Sequence, residues 1–368
     1  MATKKARIGI IGAGNISGIY LESPQKFSIL EIAAIADIDM ARAKARAEQY
    51  GVPKACSVDE LLADPAVDIV INLTIPAVHA QVSLAALEAG KSVYSEKPLA
   101  VNRDDAAKML KLAAEKGLRV GCAPDTFLGA GLQTCRKLID DGWIGQPLAA
   151  NAFMLSAGPE RWHPDPEFFF QPGAGPLFDM GPYYLTALVN LLGPINRVTG
   201  SAQAVRVERT IGSQPKFGTK IQVNTPTHVA GVLDFEGGIV ANLNTSFDVW
   251  SHNLPPIEIY GTEGTLAVPD PNTFGGPVKL RRAGSDTWYE IPLSHNYPAN
   301  SRGLGVADMA YAIQSGRKHR ASGDLAFHVL DTMVSILEAS KEEKHIHLTS
   351  QVDRPAPLPL GLPAGILD

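Results

Sequence analysis

The sequence holds only three cysteines, Cys56, Cys122 and Cys135, far apart and without CxxC spacing. An odd, scattered set excludes a disulfide framework and a cysteine-built zinc site, and makes a reducing cytoplasm the expected compartment. Long apolar runs are also missing. None approaches the roughly 20 residues that a membrane-spanning helix needs, so no membrane partner is expected. Basic excess is absent as well: a formal net charge of −5 gives no footprint for nucleic acid and no polybasic patch for lipid. The opening Met1–Arg7 is basic, but the apolar run after it, Ile8–Gly12, is too short for a signal peptide and reads as a strand. No metal site is expected either. His345-Ile346-His347 offers two ligands without a third nearby, and reads as a solvated strand face. What remains is a globular composition with length enough for two domains of 368 residues together.

Short apolar runs alternate with amphipathic helical stretches through the first third. Strands are predicted at Arg7–Gly12, Leu30–Ala36, Ile69–Leu73, Ser92–Glu96 and Arg119–Cys122. Between them lie a short helix from about Asn15, a helix over Asp39–Tyr50 stopped by Gly51, and a helical run carrying Val78, Val82, Ala85 and Ala89. Asn102 is predicted to cap a further helix, with Asp104 and Asp105 in its first turn. Such alternation implies βαβ units and a parallel, doubly wound sheet. After about residue 124 the pattern changes to period-two runs separated by glycine turns. Thr227–Phe235 and Ile239–Phe247 flank Glu236-Gly237-Gly238, and Ile257–Tyr260 and Thr265–Val268 flank Gly261–Gly264, two hairpin signals. A large, mostly antiparallel sheet in an α+β domain follows, with helices at Gly303–Ser315 and Leu325–Lys341. The expected division is 1–124, 125–352, and a Pro-rich tail, 353–368, that is an extended strap or disordered.

Chemistry concentrates at three places. Gly12-Ala13-Gly14-Asn15-Ile16-Ser17 stands between a strand and a helix. Gly12 permits a tight turn, Gly14 lets backbone approach a pyrophosphate, and Ser17 is small where a third glycine or alanine is usual. Asp37 ends the second strand, near the offset of about 20 residues at which an acid binds a ribose 2′-hydroxyl. Its carboxylate repels a 2′-phosphate, which favours NAD over NADP; the same residue is also placed to cap the following helix. Ser95-Glu96-Lys97-Pro98 ends a third strand, the edge where doubly wound sheets bind ligands. A lysine titrates near 10.4 in water, and burial beside a positive nicotinamide ring brings it toward use as a base. A surface lysine is the plainer reading of the same position.

Taken together with Asn72-Leu73-Thr74-Ile75-Pro76-Ala77-Val78-His79 and Gly173-Ala174-Gly175-Pro176-Leu177-Phe178-Asp179-Met180-Gly181, these stretches resemble the Gfo/Idh/MocA family of NAD(P)-dependent sugar and polyol dehydrogenases. The resemblance implies a Rossmann domain followed by an α/β domain whose sheet often mediates homodimers or homotetramers. It implies that Thr74, Pro76 and His79 line the cofactor site, that Glu96 lies close to the nicotinamide ribose, and that Lys97 is the catalytic proton-transfer residue. One departure stands out. Where the family commonly has Asp-x-Gly-x-His, this chain reads Asp179-Met180-Gly181-Pro182-Tyr183, with Tyr183 in the histidine's place. Pro182 suits a first helical turn, and Asp179 and Tyr183, four apart, share a helix face. A tyrosine donates, accepts and relays a proton, but titrates near 10 rather than near 6.5, which shifts base chemistry toward Lys97.

Arg161-Trp162-His163, in a Pro-rich loop with Phe168-Phe169-Phe170, pairs aromatic faces with hydrogen-bonding groups and suits a sugar; a core or interface loop fits equally. Trp250 and His252 are similar, with weaker support. Asp125-Thr126-Phe127 follows the last strand of the first domain, where family members often show Arg-Phe, and its lack of arginine points to a less acidic substrate. The expected activity is hydride transfer between a secondary hydroxyl of a carbohydrate and NAD. The residues assigned to it are Lys97, Asp179 and Tyr183 for proton transfer, with Asp125, Arg161, Trp162 and His163 at the substrate. Two other readings stay open: a non-catalytic NAD(H) or sugar sensor, and a redox-neutral elimination or epimerisation in which NAD takes and returns one hydride.

Overall fold

A computed structural model describes residues 4–368. They form two units. One runs to Ala130 and takes in Ser294–Leu330 and Pro355–Asp368; the other is Gly131–Leu293 with Asp331–Arg354. The division is thus not sequential. Two late stretches, the Pro-rich tail among them, belong with the first unit, a return that no local pattern at residue 124 or 352 announces.

Six parallel strands form the first unit's sheet. They are β1 (Ala6–Ile11), β2 (Leu30–Ala36), β3 (Ala55–Cys56), β4 (Ile69–Asn72), β5 (Ser92–Ser95) and β6 (Val120–Cys122). Their order is β3-β2-β1-β4-β5-β6, so the winding reverses between β1 and β4. β4 and β5 are buried along their whole length, as strands covered on both faces are. The connecting helices are α1 (Ser17–Leu21), α2 (Ser23–Lys26), α3 (Met40–Tyr50), α4 (Val58–Ala63), α5 (His79–Glu88) and α6 (Arg103–Lys116). Their ends sit where the residues dictate. Asp39 accepts the N–H groups of Ala41 and Arg42 at the start of α3, and Gly51 ends it in the left-handed region. Ser57 and Glu60 form a reciprocal capping box on α4, and Asn102 caps α6 through the Asp105 N–H.

The second unit opens with α7 (Ala130–Asp140), β7 (Pro147–Leu155) and α8 (Gly175–Leu192). Then come β8 (Ile195–Gln203), a small hairpin β9 (Glu208–Thr210) and β10 (Lys220–Gln222), and six further strands. These are β11 (His228–Phe235), β12 (Val240–Ser246), β13 (Ile257–Gly261), β14 (Gly264–Val268), β15 (Val278–Arg282) and β16 (Tyr289–Ile291). After α9 (Leu304–Ser315), which belongs to the first unit, and α10 (Gly323–Glu342), whose residues divide between the two, the short β17 (Ile346–His347) completes a nine-stranded sheet. Its order is β16-β15-β14-β13-β7-β12-β11-β8-β17. All pairs are antiparallel except β12 with β7, which run parallel. Burial alternates strictly along β11, the signature of a sheet with one covered face. α8 packs on that face over β7, β11 and β12. His345 and His347 lie exposed at the β17 edge.

The tail has neither helix nor strand, yet it is tied down as a strap. Leu358 and Leu367 are buried. Arg320 Nε donates to the carbonyls of Ala356 and Pro357, while its own backbone N–H is held by the buried Asp308 at 2.6 Å. Arg317 joins Asp308 to Asp368.

The β9–β10 hairpin, which the periodicity did not reveal, builds a satellite core. Ile211 and Ile221 meet Phe169, Phe170 and Phe247 there. Beneath it Arg209, with a side chain only 2% exposed, reaches Glu160 at 2.7 Å and Asp248 at 2.6 Å, donates to the carbonyls of Ala157 and Phe247, and lies over the Phe170 ring. Asp248 also accepts the Thr227 hydroxyl. Gly158 sits against this group at φ +102°; any side chain there would meet the Glu160 carboxylate at 2.3 Å and Arg209 at 2.6 Å. Removing only the cation leaves two carboxylates facing one another in a dry site. Arg209→Met is therefore expected to destabilise the protein by about 3–5 kcal/mol in urea unfolding, and the combined Arg209→Met, Glu160→Gln, Asp248→Asn variant to recover much of that loss. A single variant as stable as the wild type would show that the ion group holds nothing.

Candidate active site

The glycine turn follows β1 at the point where the strand order reverses, the place where open α/β sheets bind ligands. Gly12 adopts φ +109°, and a Cβ on it would lie 2.6 Å from the Leu73 carbonyl, so only glycine lets the ends of β1 and β4 close together. A Cβ on Gly14 would meet nothing within 4 Å. Asn15 and Ile16 are exposed beyond it, and Ser17 turns its hydroxyl back to the Gly14 carbonyl at 2.7 Å. Asp37 closes the turn from the next strand: Oδ2 accepts the Ala13 N–H at 2.7 Å and Oδ1 the Asp39 N–H at 2.9 Å. Capping of α3 falls to Asp39, so the carboxylate of Asp37 keeps further acceptor positions. Ile16, Ile38 and Ile75 follow the ends of β1, β2 and β4, and all three are exposed, Ile38 at 99%. An open glycine face, an oriented acid and outward apolar side chains along one sheet edge fit a dinucleotide, whose parts are anionic, diol-bearing and flat.

At the ends of β4 and β5 the side chains interlock. Asn72 Oδ1 accepts the Thr74 N–H and hydroxyl, and its amide donates to the His79 carbonyl and the Ser83 hydroxyl. Thr74 is half-buried, and Pro76 begins a 3₁₀ turn over Pro76–Val78 that leads into α5. His79 departs from expectation. At 1% exposure it does not line an open surface; its ring lies between the carbonyls of Pro98 and Thr74, at 2.7 and 2.9 Å. Burial lowers its pKa from the usual histidine range, against the opposing pull of those two carbonyls. Glu96 and Lys97 are half-buried just beyond β5, and the Lys97–Pro98 peptide is cis. Glu96 Oε1 receives the hydroxyl of Tyr20 at 2.7 Å.

Tyr20 is the residue that sequence reasoning passed over. It stands three positions after Ser17 on α1 and is fully buried. The signal was available, since a tyrosine on a buried helix face needs a partner for its hydroxyl.

Asp125 is the second departure. It is 1% exposed, and its Oδ2 accepts the N–H groups of Gly303 and Gly305 at the start of α9, at 2.9 and 3.0 Å. One carboxylate oxygen is thus committed to the start of α9, and the residue lies off the surface.

In the second unit, α8 starts at Gly175, so Pro182 lies in the helix interior rather than its first turn. Asp179 is half-buried and Tyr183, one turn on, is 7% exposed. Gly181 between them faces the Met333 sulfur, 3.0 Å from where its Cβ would lie. Arg161 and Trp162 are exposed, with the Arg161 guanidinium over the Trp250 ring at 4.8 Å. His163 packs edge-on between Trp162, Phe168 and Phe169, and its Nδ1 accepts the Asp165 N–H. It is thus part of the aromatic cluster, with that nitrogen engaged. Among the described residues no group of three or more histidine, cysteine, aspartate or glutamate side chains is set to hold a metal.

Residues 6–123 match the model of the GFO/IDH/MocA oxidoreductase family, NAD-binding Rossmann fold, and residues 132–267 that of the GFO/IDH/MocA C-terminal domain. The chain is similar to a 1,5-anhydro-D-fructose reductase of Ensifer adhaerens, 29% identical over 91% of this chain and 96% of that one. It is similar also to an inositol 2-dehydrogenase of Saccharopolyspora erythraea, 28% identical over 77% and 79%. Among solved structures, a levoglucosan dehydrogenase in complex with NADH and levoglucosan has the same fold. Its TM-score is 0.80 at 21% identity, covering 95% of this chain and all of that one.

Burial raises the Asp125 pKa from 3.8 to about 6, against the two N–H groups that favour its charge. The folded protein therefore keeps a proton that the unfolded chain has released between about pH 4 and pH 6, and stability falls as pH rises through that window. The two-unit difference corresponds to about 3 kcal/mol. Asp125→Asn retains an acceptor for Gly303 and Gly305 but cannot ionise. Urea unfolding from pH 4 to pH 7 is expected to show wild-type stability declining relative to the variant, by up to that amount. Parallel curves would mean that Asp125 ionises in the fold without cost.

Proposed function

The chain belongs to the GFO/IDH/MocA oxidoreductase family, and from that premise we propose that it is an NAD-dependent dehydrogenase of a secondary hydroxyl on a sugar or polyol. One observation carries the proposal most: the residue next to Lys97, Glu96, is hydrogen-bonded at 2.7 Å to Tyr20 of α1, the helix that leaves the glycine turn. Lysine and dinucleotide turn therefore belong to one local assembly at one sheet edge. The relatives named above act, by their names, on anhydrofructose and inositol, which supports a carbohydrate substrate.

In this reading the turn Gly12–Ser17 would hold the pyrophosphate and Asp37 the adenosine ribose. Bound NAD supplies the hydride acceptor, and the protein supplies orientation and electrostatics. Lys97 takes the hydroxyl proton as the carbinol carbon is oxidised. By the family motif Asp179 and Tyr183 would offer hydrogen-bonding groups to a substrate, and Arg161 and Trp162 present a charged and an aromatic surface suited to a sugar's hydroxyls and apolar face. Asp125 and His79 drop out of direct contact.

The test begins with a screen of sugars, polyols and sugar acids against NAD+ and NADP+, followed by cofactor absorbance. On the substrate so found, Lys97→Ala is expected to abolish turnover and leave NAD+ binding in place. Tyr183→Phe, which keeps the ring, is expected to lower kcat/KM by about 10²-fold or more if its hydroxyl serves proton transfer. Near-normal kcat in the lysine variant removes Lys97 from the mechanism, and wild-type kinetics in the phenylalanine variant makes Tyr183 a packing residue. For the cofactor, titration calorimetry is expected to give tighter binding of NAD+ than NADP+, with Asp37→Ser eroding the difference. Equal affinities in the wild type would overturn the assignment of Asp37.

A further inference from the structure

Lys97 has an anchored residue on each side. On its amino side, Glu96 donates its backbone N–H to the Asn72 carbonyl at 2.9 Å. Its carboxylate accepts the Tyr20 hydroxyl at Oε1 and the Lys97 N–H at Oε2, at 2.7 and 3.1 Å. Burial, with Glu96 next in effect, pushes the Tyr20 pKa well above the ordinary tyrosine range, so the hydroxyl keeps its proton and is the donor. On the carboxyl side, the Pro98 carbonyl meets the buried His79 ring, whose other nitrogen faces the Thr74 carbonyl. Asn72 links the two arms: its backbone carbonyl holds Glu96, and its side chain holds Thr74 and the His79 backbone.

We propose that Tyr20 and His79 are positioning residues for Lys97, clamping its backbone through Glu96 on one side and Pro98 on the other. The proposal deepens the reading of Lys97 given above and rests on it. The physical need is plain. A lysine head group sits at the end of a flexible four-carbon stem, so its reach is defined only if the backbone from which it starts is fixed. The arms also choose their anchors. Tyr20 belongs to the helix that leaves the glycine turn, and His79 lies against the carbonyls of both Pro98 and Thr74, donating, as a neutral ring with one N–H, to one of them. The segments assigned to the dinucleotide and the segment carrying the lysine are therefore joined by side-chain hydrogen bonds. Neither Tyr20 nor His79 is on the surface, so neither touches a reacting atom.

Three variants of the full chain test this: Tyr20→Phe, which removes one oxygen; His79→Phe, which removes both ring contacts; and His79→Gln, which restores one donor. The first readout needs no turnover. Lysines are dimethylated with 13C-formaldehyde, and the methyl signal missing from Lys97→Arg is that of Lys97. That signal is expected to shift and broaden in Tyr20→Phe and His79→Phe, and to return toward the wild-type position in His79→Gln. The second readout is kinetic. In Tyr20→Phe and His79→Phe, kcat is expected to fall by about 10- to 100-fold, as a small misplacement of a reacting group does. The acid limb of kcat against pH is expected to move upward, and the NAD+ dissociation constant to change little.

If His79→Phe does not fold, Tyr20→Phe decides alone. An unmoved Lys97 signal in a folded Tyr20→Phe protein, with wild-type kcat and pH profile, overturns the clamp. A moved signal together with an active Lys97→Ala enzyme supports the clamp and overturns instead the role given to Lys97.

Discussion

Parallel pairing of β1 with β2 on one side and β4 on the other is the constraint on which the first unit depends. With strands on both edges, β1 has its polar backbone fully committed, and its next residue must turn away at once. Gly12 is where that happens. Its N–H still bonds to Ala36 of β2, while its Cα lies so close to the Leu73 carbonyl that no side chain fits. From this crowding follow the left-handed turn, the outward placement of Gly14 through Ile16, and the approach of Asp37 from the neighbouring strand. The same reversal of strand order puts the ends of β4 and β5 on the other side of the turn, where Asn72, Glu96 and Lys97 gather.

A second constraint, electrostatic this time, governs the loop around Arg161 and Trp162. Those residues are exposed, and an exposed loop has no core of its own to hold its shape. Here the shape is held from beneath. Glu160 and Asp248 converge on Arg209, which the β9–β10 hairpin delivers, and the phenylalanines of the loop pack on the same hairpin. A buried arginine between two carboxylates is a directional fixture, since each hydrogen bond fixes an angle as well as a distance. It orients the segment that carries Arg161 and Trp162, where Arg161 meets the Trp250 ring.

Much of this was legible in the chain. The periodicity of the first 124 residues, with the cap at Asn102 and the stop at Gly51, yielded β1, β2, β4, β5 and β6 and the helices α1, α3, α5 and α6 within a residue or two of those observed, because each end is signalled by residues next to it in sequence; the cap of α3 is Asp39 rather than Asp37, and β3, α2 and α4 gave no such signal. The two glycine hairpins of the second unit were legible for the same reason. The parallel β7–β12 pair, the β9–β10 hairpin and the return of 294–330 and 355–368 to the first unit were not, since each depends on partners far along the chain.

By itself the sequence determined the residue types at the candidate site and their order: a glycine turn, an acid after β2, a Glu-Lys-Pro at the end of β5, an aspartate and a tyrosine one helical turn apart. Local chemistry suffices for that. Only the tertiary structure decided which partners the polar residues meet; Asp37 too is buried, with both oxygens accepting backbone N–H groups. Asp125 and His79 look, in one dimension, as available as Asp37 or Thr74. In the fold Asp125 anchors the N–H groups of Gly303 and Gly305, nearly 180 residues away, and His79 sits between two carbonyls that only the pairing of β4 with β5 brings together. Tyr20 finds Glu96 in the same way. Whether a buried polar side chain is committed depends on the partner that desolvation forces it to find, and that partner is set by topology, not by its neighbours in the chain.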